Sequence, residues 1–158
     1  MAVVQNIYLD YPASGYAGQV ANGETSNRIS RTVEDAAGIG PGVPVYRGAG
    51  DRGCTATVGT AATFLGFTIA NHGLATVAGG VAADVNPQYG SVAILTGGVM
   101  WVNVVGAVAD GASVTVGKGA GLADGIGSTA ADATHIASPG WVFDDTLAAS
   151  GLARVAKR

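Results

Sequence analysis

Residues 91–105 read SVAILTGGVMWVNVV, and they lie within residues 85–109, a stretch with no Asp, Glu, Lys or Arg. Two apolar runs, 91–96 and 99–105, flank Gly97-Gly98, and a two-residue glycine loop between such runs suits a type I′ or II′ hairpin turn. The spacing therefore predicts two strands joined at the glycine pair. In the second strand Val99, Trp101, Asn103 and Val105 share one face while Met100, Val102 and Val104 share the other. Both faces are largely apolar, whereas an antiparallel sheet usually wets one of them. Cover is expected on both sides: one from the opposing sheet of the same domain, the other from a long loop, an N-terminal arm or another subunit.

The same cadence extends along the chain. Short apolar runs at 28–33, 43–47, 62–70, 113–116, 134–137, 141–143 and 152–156 alternate with turns rich in glycine, among them GIGPG (38–42), GAGDRG (48–53), NHG (71–73), NPQYG (86–90) and GKGAG (117–121). Regularly spaced short strands with turn signals predict an all-β domain, a sandwich or barrel. The 26 glycines and the predominance of Val and Ala over Leu agree with strands and tight turns. One helical turn is expected at TVEDAA (32–37). Residues 1–27, where Tyr8, Tyr11 and Tyr16 stand among small and polar residues, bury little of themselves and read as an extended arm. Residues 28–158 then form a single β-rich domain.

Composition narrows the function classes. The 158 residues fit one domain, and charged residues make up 12%, about half the usual share of roughly 25%. The net charge of -3 argues against nucleic acid, because tracking phosphates needs clustered Lys and Arg. The one basic cluster is the tail of Arg154, Lys157 and Arg158. A membrane span is not expected, since Gly97-Gly98 and Asn103 interrupt the longest apolar run and basic anchors are missing from its flanks. The N-terminus lacks the pattern of a signal peptide. Cys54, the single cysteine, reads as a packed thiol.

The search for chemistry returns little. His72 and His135 belong to no metal-ligand spacing. Asp144-Asp145 reads as a solvated strand end, because adjacent strand residues point to opposite faces. GIGSTA (125–130) fits a relaxed dinucleotide fingerprint but lacks the strand before it and the helix after it. VGKGAG (116–121) lacks the Ser or Thr of a phosphate loop. No nucleophile motif is present, so an enzyme is not expected, and no cofactor or metal is assigned.

Two stretches, RTVEDAAGIGPGVPVYRG (31–48) and YGSVAILTGGVMWVNVVGAVADGASVTVG (89–117), resemble the capsid cement, or decoration, proteins of tailed bacteriophages. The likeness lies in a glycine-rich turn leading into a short G-x-P-V strand, an apolar hairpin carrying G-x-x-W-V-x-V, and a D-G-x-x-V turn and strand. It extends over roughly residues 28–117, with an echo in GLARV (151–155). It implies a small β-barrel or jelly-roll-like domain on the outer face of an icosahedral shell in the virion, made in the host bacterial cytoplasm. Its partners would be the major capsid protein and other copies of itself, as a trimer or a dimer, with neither nucleic acid nor membrane. The contact residues expected on this reading are Tyr8, Tyr11 and Tyr16 of the arm and Met100, Trp101 and Val102 of the hairpin. Competing readings are a fibre, tail or cell-surface module that binds a glycan or receptor, and a small hydrolase using Asp144, Asp145 or His135.

Overall fold

The computed structural model describes residues 15–71, 84–118 and 125–158, and the elements among them are all strands. In chain order they are β1 (Asn27–Val33), β2 (Pro44–Arg47), β3 (Gly53–Thr55), β4 (Phe64–Thr68), β5 (Ser91–Val104), β6 (Ser113–Gly117), β7 (Ile126–Gly127), β8 (His135–Phe143) and β9 (Gly151–Lys157). The all-β barrel expected from the cadence of short runs is present.

The expected hairpin is not. Residues 91–104 form one continuous 14-residue strand that passes through Gly97-Gly98 without turning. Its first half pairs with β1 and β4, and its second half pairs with β9, from Gly98↔Lys157 to Val104↔Gly151. The glycine pair sits where β5 leaves one sheet for the other; Gly98 has φ 120°, and the register with β1 shifts between Asn27 and Arg28. Glycine in a strand often marks such a bend or a close approach of backbone.

Around the second half of β5 the pairings β5–β7, β7–β6, β6–β8, β8–β9 and β9–β5 close a five-stranded barrel. The pairings β1–β3, β3–β2, β2–β4, β4–β5 and β5–β1 return to the same strand, so the first half of β5 belongs to a second closed ring of ladders. Closure satisfies the main-chain groups that an open sheet leaves at its edges. Closure buries the apolar even-numbered side chains of β5, whereas Ser91, Ala93 and Asn103 on its outer face stay exposed without charge.

Each ring has its own core. Val33, Ile39, Val45, Cys54, Val92 and Ile94 fill the first; Met100, Val102, Val104, Val114, Trp141, Phe143 and Val155 are among those that fill the second. Even-numbered residues of β5 thus point inward in both halves, as the two-residue period requires. Edge-to-face contacts at centroid separations of 5.5, 5.5 and 4.9 Å run from Tyr46 through Phe64 and Phe67 to Trp141 and link the rings. Burial pushes the Tyr46 phenol up to about 12. Cys54 is buried, as its reading as a packed thiol predicts, and burial first, then Asp35 and Glu34, push its thiol to about 11.

Three further expectations need correction. The segment 32–37 forms no helical turn: Glu34 and Asp35 instead accept hydrogen bonds from loop N–H groups at Ala49, Gly50 and Ala56, which holds the chain extended into a turn. The runs 134–137 and 141–143 are the two ends of one strand, β8, bent at Gly140, where φ is 79°. The short strands β3 and β7 were not expected at all. Parts of NHG (71–73) and GKGAG (117–121), with His72, lie outside the described residues.

Candidate functional site

The sequence reading centres on the arm and on Trp101, and the described part of the arm ends there. Gly15 lies against the Trp101 indole, so closely that a Cβ on Gly15 would collide with the Cδ1 and Nε1 atoms. Three main-chain hydrogen bonds then fasten the arm to β5: Gly18 N–H to Trp101 O (2.8 Å), Trp101 N–H to Gln19 O (2.9 Å) and Ala21 N–H to Val99 O (2.9 Å). Val20 bridges Met100, and Ala70 N–H donates to Gly18 O from the β4 side. Asn27 opens β1 on the other edge of β5, opposite Gly97. The chain therefore crosses the face of β5 at residues 22–26, and Ser26 passes over Gly98, where a Cβ would press on it. Gly98 is a crossing point rather than a turn.

Ion pairs tie down this exposed crossing. Glu24 accepts from Arg158 Nε at 3.0 Å, and Arg158 also donates to Asp144 at 3.2 Å. Arg154 donates from Nε and Nη2 to Asp145 at 3.1 and 2.6 Å, while its backbone N–H donates to the same carboxylate. The Arg154 guanidinium also sits 5.6 Å from the Trp101 ring centroid, a cation–π contact. The arm root, the end of β9 and the bend after β8 thus share one charge network. The Arg158 hydrogen bond holds the Glu24 carboxyl below its ordinary range. Burial raises Asp145, but its hydrogen bonds from Arg154 outweigh that and leave it lowered. Beside the network an open groove of about 530 Å³ is lined by Glu24, Thr25, Asn27, Gly97, Gly98, Lys157 and Arg158.

The expected contact residues divide. Trp101 is half-buried on the outer face of β5, under the arm root, and Tyr16 is 44% exposed nearby. Met100 and Val102 are corrected from contact residues to core: both are fully buried inside the second ring, because the even face of β5 is the inward one. Tyr8 and Tyr11 lie outside the described residues. The fully buried tryptophan is Trp141, whose face could not be read through the Pro139-Gly140 interruption.

As chemistry, the arrangement tethers. Asp144 and Asp145 follow β8 as a strand end, and each is held by an arginine. His135 Nδ1 lies 3.1 Å from Asp132, whose carboxyl is held well below the usual range by hydrogen bonds from Thr134. That pair closes the turn entering β8. Among the described residues no group of three or more His, Cys, Asp or Glu is placed to hold a metal ion, and no helix is long and apolar enough to cross a membrane.

Comparison with known proteins identifies the family. No curated protein matches the chain. Among solved structures, a chain described under "The capsid of Myoviridae Phage XM1" has the same fold, with a TM-score of 0.65 at 16% identity over 98% of this chain and 97% of that one. A family model described as "Structural cement protein (E217 gp24/Pam3 gp6)" matches residues 4–157, nearly the whole sequence. The chain therefore belongs to the structural cement protein family, a family of phage structural proteins rather than a class of enzyme.

Proposed function

We propose that this protein binds the outer surface of an icosahedral phage capsid and cements neighbouring capsomers. Its partners are the major capsid protein and further copies of itself, and its place is on the outside of the virion after synthesis in the host bacterial cytoplasm. Family membership supports the capsid-associated role. The observation that carries the finer reading is the arm root. Main-chain hydrogen bonds to β5 and the Glu24–Arg158–Asp144 network fix the point from which residues 1–14 start. An arm tethered to a rigid body can engage a second surface while the body holds the first, and linked contacts raise the effective affinity far above that of either alone. Tyr8, Tyr11 and Tyr16 are the contact residues of that arm, and Trp101, against which Gly15 lies, is the contact residue of the body.

Deleting residues 1–14 leaves the root intact and tests the arm directly. Binding to shells that lack this protein should weaken by at least tenfold, with the thermal unfolding of the isolated protein unchanged. Unaltered binding would remove the arm from the account.

A further inference from the structure

The loop that joins β2 to β3, GAGDRG (48–53), closes around a carboxylate. Glu34, the residue after β1, accepts from Ala49 N–H through one oxygen at 2.7 Å and from Gly50 N–H through the other at 2.8 Å. The glycines of the loop leave room for it. A Cβ on Gly48 or Gly53 would collide with the Glu34 carboxylate, and one on Gly50 would sit 3.2 Å from its Oε1. None of these three glycines has a positive φ, so what the loop requires there is space, and Glu34 creates the requirement. Glu34 ties a second loop as well, since its main-chain oxygen accepts from Gln88 Nε2 at 3.0 Å.

Little else holds the tip of the loop. Residues 49–52 are exposed, and the largest apolar side chain among residues 48–53 is that of Ala49. The Ala49 and Gly50 N–H groups have no other acceptor among the described residues; the remaining hydrogen bonds join Gly48 to Gly53, Gly53 to Gly50, Thr32 to Arg52 and Arg31 to Asp51. A segment with so few apolar contacts opens at a lower free energy than the core beneath it. The charged and titratable groups around Glu34 are Arg31 on β1, Asp35 beside it, Arg47 on β2, Asp51 and Arg52 in the loop, Cys54 on β3 and Tyr89 in the turn that carries Gln88. Asp35 is engaged elsewhere, by Thr55 Oγ1 and Ala56 N–H at 2.6 Å each, and the Cys54 thiol, pushed up by burial, stays protonated in acid. Among the described residues no Lys or Arg lies within ion-pair distance of Glu34, so the hydrogen bonds to its carboxylate come from main-chain N–H groups alone.

We propose that Glu34 is a proton-operated latch: its carboxylate holds the 48–53 loop closed, and protonation opens the loop tip while the second ring stays folded. An ionised carboxylate accepts from both N–H groups at once, in charge-assisted bonds stronger than neutral ones. Protonation makes one of the two oxygens a hydroxyl donor facing an N–H donor. The hydrogen bonds from Gly50 and then Ala49 hold the carboxyl below its ordinary 4.5 against the opposing effect of burial. The latch is therefore fully closed above about pH 4.5 and opens as the pH falls through the lower folded value. The inference rests on the first ring alone, so its failure would leave the capsid reading in place.

An NMR pH titration of the full-length protein tests it. The Ala49 and Gly50 amide signals should move with the midpoint of the Glu34 carboxyl, below 4.5, and their protection from exchange should fall roughly tenfold or more while that of the β9 amides holds. Glu34→Gln should show the open loop already at neutral pH and no such midpoint. Gly53→Ala should lower the unfolding temperature of the natural protein and leave that of Glu34→Ala unchanged, because the collision is with Glu34. Loop amides that ignore the Glu34 midpoint, a Gln variant with a fully protected loop, equal losses from Gly53→Ala in both backgrounds, or β9 amides that lose protection at the same pH would each overturn the latch.

Discussion

The two rings built on β5 differ in what fills them and in how their charges are arranged. The second is packed around Trp141, Phe143 and Met100, and the arginines along its outside are paired with Asp144, Asp145 and Glu24. The first closes over a smaller core of aliphatic residues with Cys54, and its Glu34 and Asp35 carboxylates accept hydrogen bonds from loop N–H groups rather than pairing with arginines among the described residues. One strand thus supports two bodies of different character: a well-filled barrel that carries the tethered arm, and a lighter ring whose carboxylates brace its own loops.

The largest effect is expected where the rings meet. Trp141→Ala removes the end of the aromatic chain and opens the core of the second ring, which should cost about 3–5 kcal/mol in a urea unfolding experiment. A loss below about 1 kcal/mol would mean that the second ring does not depend on this core. Next comes the crossing point. Gly98→Val places a side chain against Ser26 on a strand with φ 120°, and the strain should cost about 2 kcal/mol or more while exposing the arm root to proteolysis. A freely tolerated valine would restore the simpler picture of an arm lying loosely on the surface.

The smallest effect concerns the charge network. Arg154→Ala loses the paired hydrogen bonds to Asp145 and the stack on Trp101, and with the side chain 37% exposed the cost should be about 1 kcal/mol. Acid acts on the same network. Asp145 and Glu24 are held below their ordinary 3.8 and 4.5, so their contribution is complete above about pH 4.5 and is lost as the pH falls through the depressed folded values. Trp101 fluorescence should respond in that range before global unfolding, once Trp141 is replaced by Phe to isolate the signal. A response that coincides with global unfolding would mean that the root is no separate unit.

Much of this was legible in the sequence, and the failures have physical causes. Short apolar runs bounded by glycine-rich turns located β1, β2, β4, β6 and β9 within a residue or two. The glycine pair at 97–98 was misread because a hairpin turn and a strand crossing both require the absence of side chains. What separates them is Asn27 opposite Gly97 and Ser26 over Gly98, contacts about 70 residues apart in the chain. The same long-range contact decided the fate of Met100 and Val102: an apolar face can be core or interface, and only ring closure assigns it. Arg154 was seen only as part of a basic tail, for its carboxylate partner joins it through the pairing of β8 with β9.

The central claim is that the protein fastens the phage shell from outside. Purified protein should be added to shells that lack it, with the bound amount and the shell's disruption temperature followed together. The account predicts saturable binding at a fixed ratio to the major capsid protein and a rise in disruption temperature that tracks occupancy. Binding that saturates with no change in the temperature at which the shell breaks, or no binding at all, would contradict it.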